Sequence, residues 1–255
     1  MSYLEAAAVI VCASLAAALV SMALSRRFSA QQRHQHHEQI SPVVQVVGLL
    51  FSVLLAFVFS EVWGEYNIAA QSINDECGAL HGAAMLAAAL PDHRGLALER
   101  ALDTYVEAVI HDEWPSMARR ERSLVASGDF SAAMRGAAAL TLASPNQTPI
   151  VEGQIVNLLA TAHAARETRT FQMNAGLPAP MWWVLTVMTL ALVLWGSLTG
   201  MEGLAHVAFA AGFAACIVMV LVLVRMFDYP FEGSMALNCA DFVKLAGEIK
   251  AQIIG

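Results

Sequence analysis

Four long apolar stretches, two on each side of a polar central segment, constrain this chain more than anything else in it. They run from Leu4 to Leu24, Val43 to Val62, Met181 to Thr199 and Leu204 to Val224, and none holds a Lys or Arg. About twenty apolar residues suffice to cross the hydrocarbon core of a bilayer. Lipid offers a backbone no hydrogen-bond partner, so each stretch must satisfy itself as a helix. The expected fold is all-α: an integral membrane protein with four transmembrane helices and a helical domain inserted between the second and third. Residues 1–62 form the first two spans with a basic, His-rich connection. Residues 63–178 form the helical extramembrane domain, 179–226 the last two spans, and 227–255 an amphipathic C-terminal tail.

Composition agrees with this. The 255 residues are 58% hydrophobic and 14% charged, with mean hydropathy +0.57, outside the range of ordinary soluble domains. A net charge of −7 leaves no basic footprint for nucleic acid. The partner that composition demands is the lipid bilayer. Cys12 and Cys216 fall inside spans and read as packing residues. Cys77 and Cys239 fall on one side of the membrane, where a disulfide is open to them if that side is oxidising. The N-terminus carries Glu5 rather than a positive region, and its apolar run ends in Arg26-Arg27, so it reads as a span and not a cleaved signal.

In the first span, Ser14 with Ala18, or Ala17 with Ser21, would let another helix approach closely. A polar loop is expected from Ser25 to Ser41, with Pro42 opening the next helix. No stop signal follows Val62, so the second helix should run on to about Leu90, where Pro91 ends it. Leu98, Leu102, Tyr105, Val106 and Val109 then recur at three and four, an amphipathic helix ending near Trp114-Pro115. Ser127-Gly128-Asp129 reads as a turn before a short helix, Ser144-Pro145-Asn146 as a break, and Val151, Ile155, Leu158, Leu159 and Ala162 as the inner face of a longer helix. Thr199 to Gly203 reads as a hairpin between the last two spans. Ala208, Gly212 and Ala215 give the fourth span a small-residue face, and His206 reads as interfacial. The first connection carries Arg26, Arg27 and Arg33, against Arg166, Arg169 and Arg225 near the spans on the other side. The positive-inside rule therefore leans towards a plasma (inner) membrane protein whose helical domain is non-cytoplasmic.

The second helix holds the most distinctive pattern. Gln45, Gly48, Ser52, Ala56, Ser60, Trp63, Asn67, Gln71 and Asn74 are spaced by three or four and make one stripe of mostly small or polar residues. Such a stripe faces either a neighbouring helix or a water-filled path, and the sequence leaves both open. On the second reading Gln45, Ser52, Ala56, Ser60 and Asn67 line a pore. Phe51, Leu55 and Phe59 flank the stripe and would form an apolar constriction. Glu61 and Glu65, with Asp75 and Glu76 further out, would form an acidic mouth, or else a solvated surface with salt bridges to Arg166 or Arg169. No Lys or Arg lies between Arg33 and Arg94, so anion selectivity would need backbone donors or helix N-termini. His34, His36, His37 and Glu38 could bind a metal or sense pH, but their spacing matches no standard site and a solvated loop is the simpler reading. No nucleotide-binding, metalloprotease or hydrolase motif is present, so the expectation is no enzyme, no cofactor and no resident metal. Asp112-Glu113 are adjacent, and helix neighbours point apart.

Four segments together resemble the bestrophin-like family of bacterial membrane proteins: Val53 to Val58 running on to Val62-Trp63; Asp112-Glu113-Trp114-Pro115-Ser116-Met117-Ala118-Arg119; Gly176-Leu177-Pro178; and Asp228-Tyr229-Pro230-Phe231-Glu232-Gly233. The resemblance runs from about Gly48 to Glu248. It implies a homo-oligomeric, chiefly anion-conducting channel whose second span lines the pore with an apolar neck. By analogy Phe51, Leu55 and Phe59 would take that role, although they do not match the family neck residue by residue. The resemblance also implies a cytoplasmic domain, against the arginine count. Two functions follow as expectations: a homo-oligomeric ion channel acting on small inorganic ions, or a membrane-anchored sensor or scaffold whose helical domain binds a partner or ligand.

Overall fold

The computed structural model describes residues 1–27, 30–143, 149–197 and 203–254, and among them the chain is helical with no strand. The helices are α1 (Tyr3–Arg27), α2 (Ala30–Ala88), α3 (Leu96–Ala108), α4 (Trp114–Met117), α5 (Leu124–Ala143), α6 (Pro149–Gln172), α7 (Ala179–Gly196), α8 (Gly203–Phe227) and α9 (Ala240–Ile254), with a π-helical turn at Val109–Glu113 between α3 and α4. Four helices are long and apolar enough to cross a membrane, within Tyr3–Leu24, Ser41–Ala88, Ala179–Gly196 and Leu204–Phe227. The shortest has 18 residues, about 27 Å at 1.5 Å per residue, close to the ~30 Å hydrocarbon core. Leu15, Leu19, Leu50, Leu190 and Leu194 stand exposed along these helices, as lipid permits and water penalises. The chain is a four-span, all-α membrane protein.

The chain divides into two compact units, one of residues Met1–Gly64 with Gly176–Asp228, the other of Glu65–Ala175 with Tyr229–Gly255. In the first, α1 packs along α8, and α7 packs on α8. Ala17 and Ser21 of α1 are buried, the second of the two small-residue pairs in the sequence. On α8 the buried face is His206, Ala210 and Ala214, not Ala208, Gly212 and Ala215. Both sets have small residues at helical spacing, and composition alone cannot choose between faces of one helix. His206 is accordingly inside the unit rather than interfacial. The Leu177 N–H donates to Asp228 Oδ1 at 2.7 Å, tying the start of α7 to the end of α8.

The connection read as a loop from Ser25 to Ser41 is mostly helix, and Pro42 lies inside α2 instead of opening it. Gln, Arg and Glu in this stretch all favour helix, and no Gly interrupts them. The His34, His36, His37 and Glu38 side chains, the 144–146 break and the 199–203 hairpin lie outside the described residues. The turn expected at Ser127-Gly128-Asp129 is absent: α5 runs through it, its face carried by buried Ala126, Phe130, Ala133 and Ala137.

The second unit is built around Leu80, Leu98, Leu102, Tyr105, Val106, Val109, Leu159, Phe242 and Ile249. The predicted amphipathic face of α3 is thus its core face. α5 and α9 cover α3, and α6 packs on α5. The tail is therefore structural: α9 closes this core. Cys77 and Cys239 both belong to this unit and are free thiols. The return from α2 into α3 depends on Gly95, where an added Cβ would lie 1.9 Å from the Ala87 carbonyl oxygen. A backbone atom cannot swing aside as a side-chain tip can. Gly95→Ala should cost about 1–3 kcal/mol, read as a lowered unfolding temperature in detergent.

Candidate functional site

Two constellations stand out, one along α2 and one inside the second unit. Along α2 the stripe is uncovered. Gln45, Ser52, Ala56, Ser60, Trp63, Asn67, Gln71 and Asn74 are all exposed in the protomer, and Gly48 is half-buried. The Ser52 hydroxyl donates to the Gly48 carbonyl at 2.8 Å, which satisfies its proton and leaves oxygen lone pairs outward. The other flank of the helix is packed. Phe51 is 4% exposed, Leu55 and Phe59 are half-buried, and Phe59 meets the Phe227 ring edge-on at 6.4 Å. Large apolar side chains that remain uncovered sit on the opposite flank of the stripe: Leu49 at 66%, Val53 at 48% and Phe57 at 73%. Glu61 is exposed and Glu65 half-buried. Both continue the i, i+4 row of Leu49, Val53 and Phe57. One Glu65 carboxylate oxygen is buried with no hydrogen-bond partner among the described residues.

The second constellation is a buried ion-pair network. Arg169 of α6 is fully buried and grips Glu76 of α2 with two donors, Nε to Oε2 at 2.8 Å and Nη2 to Oε1 at 3.2 Å. Its Nη2 also donates to Glu113 Oε1 at 2.7 Å. Glu113 binds Arg166 through its other oxygen, and Arg166 reaches the Ser127 hydroxyl at 3.0 Å. The Tyr105 hydroxyl donates to Glu76. The Trp114 and Phe242 rings lie 5.5 and 5.3 Å from the Arg169 guanidinium carbon. Two carboxylates and two guanidiniums cancel, which is how buried charge is tolerated. The π-helical turn carries Glu113 into this centre, while neighbouring Asp112 turns away to accept from Ser123.

Burial works against the charge of Arg169, but Glu76 and Glu113 outweigh it and raise its pKa above the ordinary arginine value. Burial first, and the Glu76 charge second, hold the Tyr105 phenol well above its ordinary value. The folded unit therefore keeps a proton that the unfolded chain releases above pH ~10. Its stability from this group is complete below pH ~10 and falls as pH rises beyond it. Thermal unfolding between neutral and strongly alkaline pH should show that fall, and Tyr105→Phe should flatten it.

Of the acidic set Glu61, Glu65, Asp75 and Glu76, it is Glu76 that takes the salt bridge to Arg169. A salt bridge from this acidic set to Arg169 is one of the two expected alternatives; the joining of Glu113 and Tyr105 to it is not, although a signal for a buried network exists. Glu76 sits at a core position of α2, between buried Ala69, Ile73 and Leu80. Arg166 and Arg169 continue the buried face of Ile155, Leu159 and Ala162 on α6. Charges on an apolar face are buried pairs more often than errors of pattern.

Three of the four sequence segments that carry the resemblance meet. Gly176-Leu177-Pro178 joins Asp228 through the Leu177–Asp228 bond. Trp114 packs its ring on Phe231 at 5.7 Å and donates to the Leu237 carbonyl at 3.3 Å. Arg120, next in chain after the Trp114 segment, lies 3.5 Å over the Tyr229 ring and pairs with Glu232 at 2.6 Å.

Fold and site together define a four-span membrane protein with a helical unit locked by buried ion pairs. The Bestrophin-like domain model matches residues 12–242, and the chain belongs to the Bestrophin-like family. Its fold is also that of solved structures. A single-residue variant of a bacterial bestrophin homologue from Klebsiella pneumoniae superposes with TM-score 0.78 at 13% identity, over 96% of this chain and 99% of that one. A second variant of the Klebsiella pneumoniae homologue gives 0.76 at 14%, over 96% and 99%. A crystal structure described as a membrane protein gives 0.76 at 12%, over 96% and 98%. No curated protein matches the sequence.

Proposed function

We propose that this protein is an ion channel of the bacterial inner membrane, assembled from several copies of the chain, with α2 lining the conducting path. The observation that carries this reading is the uncovered stripe. Gln45, Ser52, Ala56, Ser60 and Asn67 are small or polar and exposed, while the other flank of the same helix is packed. Polar groups on a spanning helix do not face lipid at no cost, and a water-filled path between copies satisfies them. Membership of the Bestrophin-like family supports the same reading. In this proposal the apolar constriction moves from Phe51, Leu55 and Phe59 to the uncovered Leu49, Val53 and Phe57. Glu61 and Glu65 continue the i, i+4 row of Leu49, Val53 and Phe57 and form the acidic mouth of the same path.

Cysteine substitution tests the assignment. In vesicles holding Ser52→Cys or Ser60→Cys protein, small charged thiol reagents should modify the new thiol and reduce ion flux several-fold. Complete protection of both positions would bury the stripe between helices and favour a membrane-anchored sensor or scaffold.

A further inference from the structure

A cavity of about 420 Å³ opens in the membrane-spanning unit, lined by Gly48, Phe51 and Leu55 of α2, Leu192 of α7, and Phe213 and Cys216 of α8. Its volume falls in the range of small-molecule sites, about 300–1,000 Å³. Its chemistry narrows the occupant. No lining residue is charged, and the Ser52 hydroxyl at its edge already donates to Gly48. A ligand that needs a counter-ion finds none. The lining segments all belong to helices long and apolar enough to span the bilayer. On α8 the neighbours of the mouth, Phe209, Met219 and Leu223, are exposed apolar side chains, which face hydrocarbon in a bilayer.

We propose that this groove holds an acyl chain of a bilayer lipid, seated behind the polar stripe of α2. A free fatty acid is disfavoured as the source because no lining side chain would pair with its carboxylate. Gly48 and Ser52 belong to the stripe and also border the groove, so an occupant bears directly on the helix that carries the stripe. The assignment of the groove does not rest on the channel reading; only an effect on conduction would.

The test uses the full chain in phosphatidylcholine vesicles containing a trace of phosphatidylcholine with a diazirine in mid-chain, irradiated and mapped by peptide mass spectrometry. Adducts at Phe51, Leu55, Phe213 and Cys216 should exceed those at Leu190, a lipid-facing benchmark on α7 that is 65% exposed, by several-fold. Cys216→Trp, which fills the mouth, should reduce groove labelling several-fold and leave Leu190 unchanged. Phe213→Ala, which widens the groove, should raise labelling at Phe51, and so covers the case in which the tryptophan variant fails to fold. Groove labelling no higher than at Leu190 and insensitive to both variants overturns the proposal. So does efficient cross-linking between copies through Cys216, which would mean that a second protomer covers the groove. Labelling reads occupancy rather than current, so a protein that conducts nothing can still pass this test.

Discussion

Arg169→Met should destabilise the extramembrane unit by about 3–5 kcal/mol, the largest loss expected from any single change in this chain. The substitution keeps an unbranched apolar stem but removes the charge that both Glu76 and Glu113 need. Glu76 loses two of its donors, and Glu113 keeps only Arg166. Both carboxylates sit at or near zero exposure, so water cannot replace what is lost. The double variant Glu76→Gln/Arg169→Met should recover part of that loss, because it leaves Glu113 paired with Arg166 and puts at position 76 a neutral amide, which costs less to bury than an unpaired carboxylate. Unfolding followed by circular dichroism in detergent reads both effects. A single variant within ~1 kcal/mol of wild type would mean that the network holds nothing, since even modest buried pairs exceed that when broken.

Phe57→Ala should raise ion flux several-fold in reconstituted vesicles while leaving the unfolding temperature close to wild type. Phe57 is 73% exposed and touches little within the protomer, so its removal leaves no cavity there. Phe51→Ala should behave in the opposite way. Phe51 is 4% exposed, and its loss forfeits packing contacts in a medium where packing is the main source of helix–helix stability. Its unfolding temperature should fall, with little change in flux per folded protein. If Phe51→Ala opens the path and Phe57→Ala does not, the conducting face is the packed flank of α2, and the proposed pore is wrong.

Much of the fold was legible because membrane insertion leaves few choices. Four apolar runs of sufficient length must be helices, and the missing stop after Val62 predicted the long α2. Amphipathic spacing in Leu98 to Val109 marked the core face of α3 for the same reason, since burial repeats at the period of the helix. The stripe from Gln45 to Asn74 was likewise a matter of period. What period cannot tell is which flank of a stripe is covered. Phe51 and Phe57 are both aromatic neighbours of the same polar line, and the choice between them lies in where α7 and α8 pack. The buried face of α8 differs from the expected one for the same reason: Ala208-Gly212 and Ala210-Ala214 are equivalent as patterns.

Charge is less legible than apolarity in a local pattern, because its environment depends on distant partners. Arg166 and Arg169 enter the arginine balance from which the sequence predicts orientation. The fold buries both in ion pairs, so they present no free charge to a membrane surface.

By itself, then, the sequence determined the secondary structure class, the number of membrane crossings and the face of α2 that carries polar groups, because each follows from local composition and helical period. Only the tertiary structure decided that Glu76, Glu113, Arg166 and Arg169 meet, that Trp114 reaches Phe231 and that Leu177 reaches Asp228. Those contacts join residues far apart in the chain, and the energy of a buried charge depends on which partner stands a few ångströms away, a distance no local pattern encodes.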